Sequence, residues 1–247
     1  MVEESTAVLS PAAVSVVPGR TLADPDWLRA RIAEMGRSWG TTAPRVSGTL
    51  WWCMIASALV EPHVAAHVRG LPSPCSALDR IAGEVRPDGG VDRVEAVAGP
   101  PCAAGHGPAP AGADPHADRS APADPAAPGP ASPDAVAGAE LRETLAALIA
   151  QVALVSGAGV PALWAVVTDA LANRALDAGV PALAPELRAA IGGRLPAPRF
   201  VEVAGRTFVH RTSCCLVFEV PGCQMCTSCP KRPAAERADL LARTVAG

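Results

Sequence analysis

The chain has 247 residues, a formal net charge of −3, no tyrosine and a single lysine, Lys231, in a composition rich in Ala, Pro and Arg. That length supports one sizeable core or two small ones, and the negative balance excludes the basic excess of a nucleic-acid-binding surface. The N-terminus, Met1-Val-Glu-Glu-Ser5, is acidic where a secretory signal would be basic, and the apolar runs 50–60 and 145–155 are 11 residues each, against the ~20 that span a bilayer. The expectation is a cytoplasmic protein with no transmembrane segment, for which peripheral membrane contact stays open.

Residues 1–22 lack charge periodicity and read as a flexible leader. Asp24-Pro25 has the form of an N-cap and first helical residue. Trp27, Leu28, Ile32 and Met35 follow at helical spacing, and Gly36 and Gly40 end the run. Pro44 opens a second helix through Leu50, Trp51, Met54, Ile55 and Leu59 that stops near Pro62, with a short third helix through Val64 and Val68. Residues 71–98 alternate turn signals with short apolar runs and read as irregular or weakly β. The stretch 99–134 holds 10 of the 26 prolines with Ala, Gly and Asp. It cannot bury enough surface to offset the entropy of ordering and is expected to be a disordered insert, 99–136.

Beyond the insert, Leu141, Leu145, Leu148, Ile149 and Val152 recur at helical spacing. A further helix runs from Pro161 through Trp164 and Leu171 to Gly179, and Pro185–Ile191 is short. After Pro198 the period becomes alternating. Phe200–Val203, a turn at Gly205 and Thr207–Arg211 read as a hairpin, 216–220 as a third strand, and Pro233–Val245 as a closing amphipathic helix. The expected class is α+β, mainly helical: parts 23–98 and 137–198 pack together as a helical body, and 199–247 forms a small β-hairpin plus metal-binding module.

Five of the eight cysteines lie within sixteen residues, Cys214 to Cys229. Cys214 and Cys215 are adjacent, ten residues separate Cys215 from Cys226, and two separate Cys226 from Cys229. Thiolates that can converge are a metal site first, all the more in a reducing compartment. Adjacent cysteines on an extended strand point to opposite faces, so the backbone must bend for both to ligate. A two-iron cluster accepts sulfurs from more directions than one zinc ion does, which favours iron–sulfur over zinc or disulfides. Cys223 adds a Cys-x2-Cys-x2-Cys run, part of a ferredoxin-type pattern, and keeps a four-iron cluster open.

The Cys-Cys-x10-Cys-x2-Cys spacing resembles the C-terminal signature of FhuF-like ferric-siderophore reductases. The resemblance covers roughly residues 199–232 and includes Arg211-Thr-Ser213 before the pair, Pro221-Gly222 in the loop and Cys229-Pro230 at the close. More loosely, the segment 162–174 is similar to the region preceding the signature in actinobacterial members. The resemblance implies a [2Fe–2S] cluster held by Cys214, Cys215, Cys226 and Cys229, and a one-electron reduction of a ferric siderophore, of hydroxamate type, that releases Fe(II). The electron donor is unidentified. A non-enzymatic iron–sulfur carrier or sensor is the alternative.

His210, Arg211, Lys231 and Arg232 flank the cysteines. Positive charge near a polyanionic cluster raises its potential and attracts an anionic chelate, so Arg211 and Lys231 are candidates for tuning or docking. His63 and His67, four apart, could share a helix face as metal ligands; with no metalloprotease pattern beside them they read as a solvated face. Cys53, beside Trp51 and Trp52, reads as a core thiol, and the two tryptophans as core. Cys75 and Cys102 fall in loop-like sequence and carry no expected role.

Overall fold

A computed structural model describes residues 14–97 and 133–246. The helix α2 (Pro25–Trp39) begins where its sequence says it should. The Asp24 carboxylate accepts from the Trp27 amide at 2.7 Å, Pro25 occupies the first turn, and Gly40 closes the helix at φ 71°, the left-handed cap that glycine takes without strain. The next helix, α3 (Pro44–Val68), runs straight through Pro62, correcting the expected stop there. An internal proline costs a helix about 3 kcal/mol or more. Val60, His63, Val64 and Ala66 are buried around it, and that packing holds the last two turns.

This helix is the axis of the molecule. Trp51 and Trp52 are both fully buried yet face different neighbours: the Trp51 indole donates to Gly89 O at 3.0 Å, and the Trp52 indole to Leu163 O at 2.8 Å. A helix apolar on all sides must be covered on all sides. One cover is a three-stranded antiparallel sheet in the order β1-β2-β3, formed by β1 (Ser15–Pro18), β2 (Ile81–Val85) and β3 (Val91–Ala96). Segment 71–98 is thus firmly β in its second half, and residues 15–22 of the expected leader are structured: β1 is followed by the short helix α1 (Gly19–Leu22), with Leu22 wholly buried. Strand β1 was not legible in the sequence because it is only four residues long. At the β2–β3 turn Gly89 has φ 84°, and a Cβ there would meet Arg31 O at 2.6 Å.

The opposite cover is α4 (Pro133–Ser156) and α5 (Val160–Asp177), joined to α6 (Leu183–Ile191). Residues 133–136, expected in the insert, belong to α4; the disorder expected of 99–132 lies outside the described residues. Leu28, Trp51 and Ile55 share one core with Leu145, Leu148 and Leu171. The hairpin β4 (Phe200–Val203) and β5 (Arg206–Val209) follows, then a single 3-10 turn, Val217–Glu219, in place of the expected strand, and finally α7 (Ala234–Ala246). The class is α+β, mainly helical. No helix among the described residues is long and apolar enough to cross a membrane.

Candidate metal centre

The cysteine segment sits on the N-terminal end of α3. Val46 and Leu50 form a small apolar cluster with Leu216 and Val220, against which Cys214, Cys215, Phe218 and Cys223 pack. The Arg45 guanidinium pairs with Glu219 at 2.6 Å across the same contact. The bend that the adjacent cysteines require is present: Leu216 has φ 64°, a conformation costly for a branched bulky residue and typical of backbone constrained at a functional site. Turned this way, the Leu216 amide donates to Cys214 Sγ at 3.4 Å. The same left-handed residue opens the Val217–Glu219 turn that stands where a strand was expected.

The four sulfurs stand as two pairs. Cys214 Sγ lies 3.7 Å from Cys229 Sγ, and Cys215 hydrogen-bonds Cys226. Two sulfurs bound tetrahedrally to one metal at ~2.3 Å stand about 3.8 Å apart, so the first pair already has the spacing of two ligands on one metal. Two pairs suit two irons, and these donors fit a [2Fe–2S] cluster. The hydrogen bond from Cys226 holds the Cys215 thiol down to about 5, aided by the Val217 amide and Arg211. Burial pushes Cys214 up, against the Leu216 amide and reinforced by Cys229.

The surrounding cations divide by role. Arg211 Nη1 donates to Cys226 Sγ at 3.7 Å, and its Nε pairs with Asp169 at 3.4 Å. Arg232 donates to Met225 O at 2.6 Å and Cys226 O at 3.4 Å and pairs with Glu236. Arg237 donates to Cys229 O at 3.3 Å and to Arg232 O at 3.1 Å, and bonds His210 Nε2 at 3.2 Å. Burial, with Arg199 and Arg237 nearby, lowers the His210 pKa and favours its neutral ring. The Lys231 ammonium lies 5.1 Å from the centroid of the Phe218 ring, which packs beside Cys214 and Cys215.

Two residues were absent from the sequence-based site. Asp169, in α5, is 3% exposed and binds the segment just before Cys214; the signal was a lone carboxylate inside an apolar helix, which must find partners. Cys53 packs against the main core from α3; burial pushes its thiol up to about 12, with Arg211, Cys215 and Asp169 acting on it electrostatically. His63, expected on a solvated face, is buried and hydrogen-bonds Ser76 Oγ at 2.6 Å, while His67 is exposed. Cys75 is disulfide-bonded, and Cys102 lies outside the described residues.

Residues 211–231 match the family model for the FhuF 2Fe-2S C-terminal domain. The segment is similar to an FhuF-type [2Fe–2S] domain. The match takes in all five clustered cysteines and Arg211 and Lys231 at its ends. No curated protein and no solved structure matches the chain.

Proposed function

We propose that the protein is a cytoplasmic ferric-siderophore reductase that passes one electron from a [2Fe–2S] cluster, ligated by Cys214, Cys215, Cys226 and Cys229, to an Fe(III) hydroxamate, releasing Fe(II). The observation that carries the reading is the two sulfur pairs of an FhuF-type domain seated in an arginine-lined loop. A bound cluster supplies single electrons at a potential set by its surroundings. The chain's own task is to hold the sulfurs, bias their charge and present a docking face. Hard oxygen donors hold Fe(III) far more tightly than Fe(II), so one electron unlocks the complex, and no acid, base or nucleophile is required.

A concavity of about 670 Å³ opens beside the cysteine loop, lined by Asn173, Asp177, Arg206, Thr207, Phe208 and Ser228. Ser228 adjoins Cys229. One cation and one anion among neutral hydrogen-bonding groups favour a polar chelate of low net charge, as a hydroxamate complex is. The cavity of about 390 Å³ at His63 and His67 is less suited. Leu50 packs on the cysteine segment, and thirteen helical residues at ~1.5 Å each put His63 roughly 20 Å away along α3.

The test mixes anaerobically reduced protein with ferric hydroxamates and follows cluster absorbance by stopped flow, with a ferrous trap present and the gallium complex as the redox-silent control. Reoxidation by the ferric chelate with Fe(II) appearing is expected. If ferric chelates act no faster than buffer while an electron-transfer protein reoxidises the cluster, the carrier reading replaces the reductase.

A further inference from the structure

Helix α5 is apolar from Val166 through Leu171 except at Thr168 and Asp169. A carboxylate buried there needs hydrogen-bond donors around it. Asp169 has five, all from three consecutive residues. Oδ1 accepts from the Thr212 amide at 2.8 Å and its hydroxyl at 3.0 Å. Oδ2 accepts from the Ser213 amide at 2.9 Å, its hydroxyl at 2.6 Å and Arg211 Nε at 3.4 Å. Among the described residues, no other side chain joins the helical body to the segment entering the cysteine pair with so many bonds. Those donors are the residues immediately before Cys214, and the Arg211 fork that faces Asp169 with one nitrogen faces Cys226 Sγ with another.

We propose that Asp169 is the positioning residue of the metal centre: it clamps Arg211–Ser213 to the helical body and aims the Arg211 guanidinium at the Cys226 sulfur, so that the body, through one carboxylate, sets the cluster's reduction potential. The proposal rests on Cys226 being a cluster ligand and takes nothing from the identity of the electron acceptor. A guanidinium donating to a ligand sulfur stabilises the more negative, reduced state and raises the potential. Such an effect depends on where the charge is held. A free arginine on a loop spends its time in water, where its field is screened; one fixed between a buried carboxylate and a sulfur is not.

The test uses the cluster-loaded full chain and compares wild type, R211Q, D169N and the D169N/R211Q double variant. Iron and sulfide content, the midpoint potential and the EPR spectrum of the reduced state are measured. R211Q lowers the midpoint. With Arg211 already absent, D169N removes a negative charge and disturbs the bonds to Thr212 and Ser213, but it has no guanidinium to release. With Arg211 present, D169N also releases the guanidinium, so its shift is more negative than in the R211Q background. Equal shifts in the two backgrounds overturn the proposal and leave Asp169 a remote charge. Should D169N not retain iron, D169E keeps the charge and displaces the clamp by one methylene. It lowers the midpoint and alters the EPR g-values, or loses iron with helical circular dichroism intact. A D169E protein with wild-type midpoint and spectrum sinks the idea. Because the readout is a potential, this result stands apart from whether ferric chelates are reduced.

Discussion

Each of the four paired cysteines is expected to be indispensable to the cluster, and the other sulfurs near it are not. Serine at Cys214, Cys215, Cys226 or Cys229 should bleach the visible absorption or sharply lower iron content. Serine at Cys53 or Cys223 should leave the spectrum in place, although Arg211 and Cys215 act electrostatically on Cys53 and Cys223 lies in the cysteine loop. Intact absorption in C214S with loss in C223S would reassign the ligands and revive a four-iron site. The ligand spacing was legible in the sequence because it is local: four cysteines within sixteen residues need no tertiary information. Asp169 was not legible as a partner. Its bonds to Thr212 and Ser213 span more than forty residues, and nothing at position 169 alone says which donors a buried carboxylate will meet. Lys231 was legible as a neighbour of the motif, but its contact with the Phe218 ring was not.

At the scale of elements, α7 is tied to the cysteine loop through Arg237 in its first turns. Arg237 satisfies the Cys229 carbonyl and bridges to His210 beyond the hairpin. Arg237→Ala should leave the helical body folded and cost the loop about 1 kcal/mol per lost bond, read as several-fold faster cluster loss to an iron chelator. An unchanged loss rate would show that Arg232 alone secures the loop. Helices with explicit stop and start signals, such as α2 with Asp24, Pro25 and Gly40, were readable by those signals. Pro62 misled because the sequence displays the missing amide and hides the burial of Val60, His63 and Val64 that keeps the helix intact. The sheet was under-read for a related reason. Strand β1 pairs with β2 across a separation of more than sixty residues, and a four-residue strand carries little periodicity of its own.

For the molecule as a whole, stability should fall in acid before the carboxylates titrate. Burial holds His63 down to about 4, below its ordinary value of about 6.5. Above pH 6.5 both folded and unfolded states are neutral there. Between about 6.5 and 4 the unfolded chain binds a proton that the folded one refuses, which removes about 3 kcal/mol in all. Urea midpoints measured across that window should decline for wild type and be flatter for His63→Gln, whose stability at pH 7 is itself lower because its fit to Ser76 is lost. Parallel curves would mean another group carries the acid sensitivity. Deleting 103–132 should leave soluble expression and cluster assembly intact, since shortening a loop changes closure entropy by roughly 1 kcal/mol or less. Loss of either on deletion would give that segment a structural task its composition does not suggest.

The sulfur pairs are nested along the chain, Cys215 with Cys226 inside Cys214 with Cys229. Stripped of metal and exposed to air, each pair can lose two protons and two electrons to oxygen and become a covalent bridge. The outer sulfurs need only close from 3.7 Å to ~2.05 Å. The apo protein should therefore oxidise to a defined ladder of two concentric cross-links, and peptide mapping should find 214–229 and 215–226 and little 226–229. Such a form would have its binding loop locked shut, and reloading with iron and sulfide would wait on a thiol reductant.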